Sequence, residues 1–139
     1  MGSFVLSKIF PSDLNKIPPF IENIAKKVLS LTGSDNEAFK VKLVLEEAMT
    51  NAMRHGNLLN PKLKVFVKIS VGKKKIMLQI RDQGKGFNFH KVPDPTNKKR
   101  AQQPCGRGIF LMRKFMDEVT FSGKGNKLRL IKKININPA

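Results

Sequence analysis

The chain has few of the residues that stabilise small secreted proteins or mark membrane proteins. It contains one cysteine, no tryptophan and no tyrosine among 139 residues. A single cysteine cannot form an internal disulfide, which is typical of a reducing cytoplasm. No apolar run approaches the roughly 20 residues that cross a bilayer, and the N-terminus shows no basic segment followed by an apolar stretch, as a secretory signal would. The composition therefore predicts a cytoplasmic protein without a membrane anchor.

Acidic residues are also scarce, because 10 aspartates and glutamates stand against 27 lysines and arginines, for a net charge of +17. Charge of this size affects solubility and the choice of partner rather than the fold. A basic chain can attract nucleic acid or an acidic protein. The lysines are accompanied by no recognition helix, zinc-ligand spacing or aromatic RNA-binding pattern. The sequence therefore favours general attraction to acidic partners over specific nucleic-acid binding.

Apolar residues make up 40 % of the chain, which is enough for the core of a single domain over residues 1–139. Alternating apolar and polar residues predict five strands, several of them paired as antiparallel hairpins. The predicted strands span residues 4–10, 64–71, 76–80, 118–121 and 127–134.

Capping signals place two helices in the first half of the chain. A proline pair suits the first turn of a helix that Gly33 ends. Ser34 and Glu37 form a capping box, which starts a second helix predicted to run to about His55. Separate helices and mostly antiparallel strands predict an α+β fold, a two-layer sandwich.

Three polar residues form a row along the second helix. Glu47, Asn51 and His55 are each four residues apart and therefore share a face. The amide oxygen of Asn51 is a hard ligand of the kind that Mg²⁺ accepts. The Glu47 carboxylate can take a proton from an attacking hydroxyl or water. The same spacing is common on solvated helices, and the sequence favours a capping or core role for His55 over a direct nucleotide role. The row therefore carries weight only together with other motifs.

A glycine motif follows the third predicted strand. Asp82 ends that strand and precedes Gly84 and Gly86. A carboxylate in this place can accept a hydrogen bond from an exocyclic amine such as that of adenine. The glycines allow a ligand to approach the backbone closely. By itself the motif favours an ordinary strand-ending turn over a ligand site.

A second glycine motif follows the long loop over residues 87–105. Gly106, Arg107 and Gly108 are predicted to open an apolar helix, whose N-terminal amides favour phosphate. A lone Gly-x-Gly is weak evidence, since a loop can end in the same way. The order of all three motifs along one chain points to a site that can hold a nucleotide and a metal ion.

The combined pattern resembles the GHKL superfamily of ATP-binding domains, and most of all the bacterial anti-sigma factor serine kinases. Residues 45–56 resemble the N-box of that family, residues 81–87 its first glycine box and residues 106–112 its second. The Met-Asp-Glu-Val continuation at residues 116–119 is characteristic of the anti-sigma branch. The resemblance covers nearly the whole chain. It implies a Bergerat-type fold with a mixed, mostly antiparallel sheet and helices on one face.

The resemblance also implies a role for each motif residue. Glu47 would be the general base, Asn51 would hold Mg²⁺ against the phosphates of ATP, and Asp82 would bind the adenine amine. Residues 87–105 would form the ATP lid. The remaining motif residues would let the nucleotide lie close to the backbone or bind its phosphates: Gly84, Gly86, Gly106, Arg107 and Gly108.

A function follows from the resemblance. It implies an ATP–Mg²⁺-dependent protein serine/threonine kinase of the bacterial cytoplasm. This kinase would phosphorylate a STAS-type anti-anti-sigma protein and sequester a sigma factor. The resemblance leaves homodimerisation open. Two other functions also stay open: an ATP-binding regulatory module that transfers no phosphate, and a basic nucleic-acid-binding domain with a decayed nucleotide site.

The last hairpin departs from the family pattern. Family members often carry Gly-Thr there, and the threonine helps to bind adenine. This chain has Gly125 and Asn126 instead. Asn126 is therefore the candidate replacement for a polar group at the base.

Overall fold

Two layers build the structure, which is a computed structural model that describes residues 2–85 and 104–134 and, for residues 104–107, the backbone only. Helices form one layer and a five-stranded sheet the other. In chain order the elements are β1 (Phe4–Pro11), α1 (Ile17–Thr32), α2 (Asp35–Asn51), β2 (Lys64–Val71), β3 (Lys75–Asp82), α3 (Pro104–Phe115), β4 (Glu118–Ser122) and β5 (Lys127–Lys133). A 3₁₀ turn (Leu14–Lys16) precedes α1, and a π-helical turn (Ala52–Gly56) continues α2.

The sheet has the strand order β1-β2-β3-β5-β4. Each of its four pairings is antiparallel. The α+β two-layer fold is therefore confirmed, and the expectation of a mixed sheet is corrected, since every pairing among the described strands is antiparallel. The predicted strands are confirmed with end differences of one or two residues.

One face of the sheet packs against α1 and α2 to form the core. Val65, Val67, Ile69 and Val71 alternate along β2 and are at most 3 % exposed. Across β2 and β3, Val65 pairs with Asp82, so Asp82 lies on this same helix-facing side of the sheet. The helices contribute side chains that are fully buried: Ile24, Val28, Val41, Val44, Leu45 and Met49. The alternation seen in the sequence thus reports the two faces of the sheet.

The junction between α1 and α2 confirms the capping signals. Gly33 has φ 68°, a left-handed conformation, and its N–H donates to the carbonyl of Leu29. The Ser34 hydroxyl accepts a hydrogen bond of 3.1 Å from the Glu37 N–H. Two adjacent local signals therefore end one helix and start the next.

We expect Ser34→Ala to lower the free energy of unfolding by about 1 kcal/mol, because the Glu37 N–H loses its cap. Urea denaturation followed by circular dichroism measures this change. Ser30→Ala is the matched control, since Ser30 is exposed within α1 and alanine is the better helix former. An equal loss in both variants would contradict the capping role.

Candidate functional site

The site begins where α2 changes its helical geometry. A helix was predicted to about His55, but the α-helix ends at Asn51 and a π-helical turn follows over Ala52–Gly56. The turn closes when the Asn57 N–H donates to the Ala52 carbonyl at 2.8 Å. Extra residues in a helical turn shift the direction of the chain, and such turns are frequent at functional sites. Here the turn brings Gly56 against the end of β3.

Asp82 is the last residue of β3 and is only 8 % exposed. Its backbone is held by Asn126 on both sides: the Asp82 N–H donates to the Asn126 carbonyl, and the Asn126 Nδ2 donates to the Asp82 carbonyl, each at 3.0 Å. The Asp82 Oδ1 accepts a hydrogen bond of 2.8 Å from the Gly84 N–H. Asn126 thus fixes the strand end that carries Asp82.

Two glycines make room around this carboxylate. A Cβ on Gly56 would lie 2.4 Å from both the Cγ and Oδ2 of Asp82. A Cβ on Gly84 would lie 1.9 Å from the carbonyl oxygen of Gly56. A side chain at Gly56 would have to displace the Asp82 carboxylate, and one at Gly84 would overlap the backbone of Gly56. Gly84 was predicted to let a ligand approach, and the structure adds that it lets the π turn and the β3 end pack together.

Burial changes the ionisation of two groups near this turn. Burial raises the pKa of the Asp82 carboxyl above its usual range, and the hydrogen bond from Gly84 offsets part of the rise. The pKa of His55 is lowered, first by burial and then by the neighbouring Arg54 charge. Asp82 therefore takes on its charge at a cost, which a hydrogen-bond donor from a ligand would reduce.

Glu47 and Asn51 meet the start of α3 at Gly108. A Cβ on Gly108 would lie 2.8 Å from the Asn51 Nδ2 and 3.0 Å from a Glu47 carboxylate oxygen. The structure thus brings together two motifs that are far apart in sequence. The helix begins at Pro104, two residues before the predicted start at Gly106, because proline suits a first helical turn. Gly106 and Arg107 lie in that first turn, where backbone N–H groups have no intrahelical partner.

A pocket lies between α2, the sheet and α3. Four polar residues line this pocket: Asn51, His55, Asp82 and Asn126. Its other lining residues are small or apolar: Ala48, Ala52, Gly56, Ile80, Ile109, Met112, Phe121, Gly125 and Leu128. A mostly apolar pocket with a few polar groups is the usual form of a small-molecule site.

One residue of the site carried no signal in the sequence. Asn57 is 1 % exposed, and its Nδ2 donates to the Ser12 hydroxyl and to the Lys64 carbonyl, both at 2.9 Å. Its Oδ1 accepts a hydrogen bond of 2.9 Å from the Gln83 N–H, next to Asp82. Asn57 therefore ties β1, β2 and the end of β3 to the π turn. Nothing distinguishes this asparagine in sequence from the turn residues that follow it.

Several predicted positions fall outside the described residues. Gly86 and most of the proposed lid, residues 86–103, are among them, and so is the side chain of Arg107. Pro104 and Cys105 were placed in the lid and belong to α3. In the described segments, no helix has the length and apolar character needed to cross a membrane.

Comparisons with known proteins agree with this architecture. A model of the histidine kinase-like ATPase domain matches residues 10–132. The anti-sigma F factor of Anoxybacillus flavithermus is 33 % identical over 122 residues, which cover 84 % of this chain and 83 % of that protein. The anti-sigma F factor of Bacillus subtilis is 28 % identical over 129 residues, with the same coverage of 84 % and 83 %.

A solved structure shares the fold. The histidine kinase domain of the blue-light activated histidine kinase of Erythrobacter litoralis superposes with a TM-score of 0.53 at 15 % identity. The match covers 86 % of this chain and 61 % of that one. The chain therefore belongs to the histidine kinase-like ATPase domain family. Within the family it is a relative of the anti-sigma F factors, as the motifs had indicated.

We expect Gly56→Ala to lower the free energy of unfolding by about 1–3 kcal/mol, because the added methyl group overlaps the Asp82 carboxylate. Gly72→Ala is the matched control, since the nearest atom to its Cβ would lie at 3.8 Å. Thermal unfolding of both variants without nucleotide measures the difference. A Gly56→Ala protein as stable as the control would show that Asp82 moves aside freely.

Proposed function

We propose that this chain binds ATP with Mg²⁺ in the pocket beside Asp82 and transfers the γ-phosphate to a hydroxyl of a protein. The observation that carries the proposal is the convergence of two motifs: Gly108 of α3 lies against both Glu47 and Asn51. Phosphoryl transfer needs a metal ligand and a base close to the phosphates, and Gly108 lets the start of α3 approach an amide and a carboxylate that can serve these roles. Membership of a family of ATPase domains supports the same chemistry.

Adenine recognition is assigned to Asp82. Its carboxylate faces an apolar pocket that a base can fill, and it can accept a hydrogen bond from the exocyclic amine. Because burial raises its pKa, a donor from the ligand is worth more there than at an exposed carboxylate. Asn126 supports this role through the backbone of Asp82 rather than through a second contact with the base.

The metal and phosphate end is assigned to α2 and the start of α3. The Asn51 amide oxygen and the first-turn N–H groups of α3, which include those of Gly106 and Arg107, fit a magnesium ion shared with phosphates, since Mg²⁺ takes few protein oxygens and keeps the rest of its shell. When bound, the ion neutralises charge on the phosphate oxygens. Gly84 and Gly86 would give the nucleotide access to the backbone, and Gly108 keeps α3 close to Asn51 and Glu47.

The transfer step uses Glu47 as a base. An acceptor hydroxyl oxygen forms a bond to the γ-phosphorus while the bond from that phosphorus to the β,γ-bridging oxygen breaks. Glu47 accepts the hydroxyl proton, and ADP leaves with the bridging oxygen. The relatives are named anti-sigma F factors, which supports a sigma factor as one partner, and the motif resemblance supports a STAS-type protein as the other. We therefore assign a sigma factor as the protein that is held and a STAS-type anti-anti-sigma protein, at serine or threonine, as the acceptor.

We expect Asp82→Asn to have opposite effects on stability and on binding. The raised pKa means that ionised Asp82 destabilises the fold as the pH rises through the aspartate range, and that this loss is complete above the raised value. Asparagine removes the loss and keeps an oxygen for the Gly84 N–H. The nucleotide-free variant should therefore be more stable than wild type at neutral pH. This difference should shrink at acidic pH, where Asp82 of the wild type is protonated.

The same variant should bind ATP more weakly by about 1–3 kcal/mol, since an amide cannot serve the adenine amine as the carboxylate does. Calorimetry and thermal unfolding over a pH series measure both effects. Asp35→Asn is the control for loss of an aspartate, because Asp35 lies exposed in the first turn of α2. Unchanged ATP affinity in Asp82→Asn would refute the adenine assignment.

We expect Glu47→Ala to keep ATP binding and to slow transfer by about 10²–10⁴-fold, whereas Asn51→Ala should lose the Mg²⁺ enhancement of ATP binding. Glu46→Ala is the matched control, since Glu46 lines a separate groove between α1 and α2. Transfer is followed with labelled ATP and a candidate STAS protein. Normal transfer by Glu47→Ala would exclude it as the base, and ATP binding without transfer in wild type would favour a regulatory module.

A further inference from the structure

The positive charge of the chain is distributed unevenly: α3 carries Arg113 and Lys114 and no acidic residue, and the helices that cover the sheet differ in charge from its other face. The helices α1 and α2 are nearly neutral: Glu22, Asp35, Glu37, Glu46 and Glu47 stand against Lys26, Lys27, Lys40 and Lys42. The sheet face that points away from these helices is strongly basic. It carries Lys64, Lys68, Lys75, Arg81, Lys127, Arg129 and Lys133, and among the residues of that face in the described strands Glu118 is the acidic one. A uniformly solvated basic protein would not show this separation.

Strand register fixes which side chains share this open face. Strand residues that flank the buried ones point to the opposite, open face. Paired across neighbouring strands on this face are Ile9 with Phe66, Ser7 with Lys68, and Phe66 with Arg81. Because α1 and α2 pack on the opposite face, these side chains have no helix of that pair over them. A shallow groove runs across β1, β2 and β3 and is lined by Ser7, Ile9, Phe66, Lys68, Gln79 and Arg81.

Arg81 is held in place at the middle of this groove. Its guanidinium carbon lies 4.1 Å from the centre of the Phe66 ring. Stacking on an aromatic ring fixes the plane of a guanidinium and leaves its N–H edge available for two hydrogen bonds to a carboxylate. Lys68 is exposed beside it, and β1 presents apolar side chains at the rim, with Val5 67 % and Ile9 60 % exposed.

We propose that this open face is a docking surface for an acidic, amphipathic segment of a partner protein in extended conformation. Carboxylates of the segment pair with Arg81 and Lys68, and alternate apolar side chains cover Val5 and Ile9. Complementary charge would speed the encounter and fix the orientation, while the apolar rim would add affinity. The proposal is independent of the nucleotide pocket, which lies on the helix side of the sheet.

Two other occupants fit the face less well. A nucleic acid would supply phosphates but would stack bases on exposed aromatic rings. Among the open-face residues of the described strands the aromatic ring is Phe66, and Arg81 covers it. A second copy of the chain, set face to face, would bring one basic face against another, which costs free energy for every unpaired like charge.

The test compares one change on each face of the domain at physiological salt. Lys68→Glu alters the open face, and Lys26→Glu makes the same charge change at an exposed position of α1. Fluorescence anisotropy measures binding of three labelled probes of equal charge: a peptide of alternating glutamate and valine, polyglutamate, and oligothymidylate. We expect the alternating peptide to bind wild type most tightly. Lys68→Glu should weaken this binding by about tenfold or more, since attraction is replaced by repulsion, and Lys26→Glu should leave it nearly unchanged.

Each contrary outcome has a clear meaning. Equal losses in both variants, or no binding of either peptide, would overturn the docking surface. Tighter binding of oligothymidylate than of the peptides would assign the face to nucleic acid. Sedimentation of wild type and Lys68→Glu completes the test: dimerisation of wild type that the variant abolishes would assign the face to a second copy. Equal binding of the alternating glutamate–valine peptide and of polyglutamate would contradict the proposed apolar contacts with Val5 and Ile9.

Discussion

The approach of the π turn to the end of β3 is the constraint on which the pocket depends. Gly56 and Gly84 touch backbone to backbone, and Gly56 lies against the carboxylate of Asp82. Without this approach, α2 would not pass over the sheet at the point where Asp82 ends its strand. The polar row on α2 would then lie apart from the strand end, and α3 would have no surface formed by Glu47 and Asn51 to rest on. The absence of side chains at Gly56 and Gly84 therefore allows the π turn, the end of β3 and α3 to lie close together.

Holding Asp82 in this position works against stability. A carboxylate that is mostly buried has a raised pKa, which means that the fold disfavours its charged form. The surrounding hydrogen bonds restrain its backbone, from Asn126 on one side and from Asn57 through Gln83 on the other. The side chain receives only the Gly84 N–H among the described contacts. A buried carboxylate that accepts few hydrogen bonds in a mostly apolar pocket can accept another from a ligand that carries a donor. Residues arranged for binding in this way commonly reduce the stability of the fold.

Local signals in the sequence predicted most of the fold, and tertiary contacts supplied the rest. Gly33, Ser34 and Glu37 make their capping contacts with residues close in sequence, so the α1–α2 junction could be predicted from these three residues. Alternation gave the strands for the same reason. The π turn follows from a contact between residues 56 and 82 and could not be read locally. Asn57 was missed because its partners Ser12, Lys64 and Gln83 come from three separate segments.

The same limit applied to the site and to the charge. Spacing predicted that Glu47 and Asn51 share a helix face, but only the fold shows that Gly108 meets them. Composition gave a net charge of +17 and no location for it. Location depends on strand register, which decides for each lysine whether it faces solvent over the open sheet or lies beside the helices. The contrast between the nearly neutral helices α1 and α2 and the basic sheet face was therefore beyond the sequence.

β3 connects the two surfaces of the domain at neighbouring residues. Since strand residues alternate, Arg81 points to the open face while Asp82 points to the pocket. A ligand on either side therefore contacts the same strand end. That end is restrained by Asn126 and, through Gln83, by Asn57. The two surfaces therefore lie on opposite sides of one restrained strand end, and only one peptide bond lies between the residues that serve them.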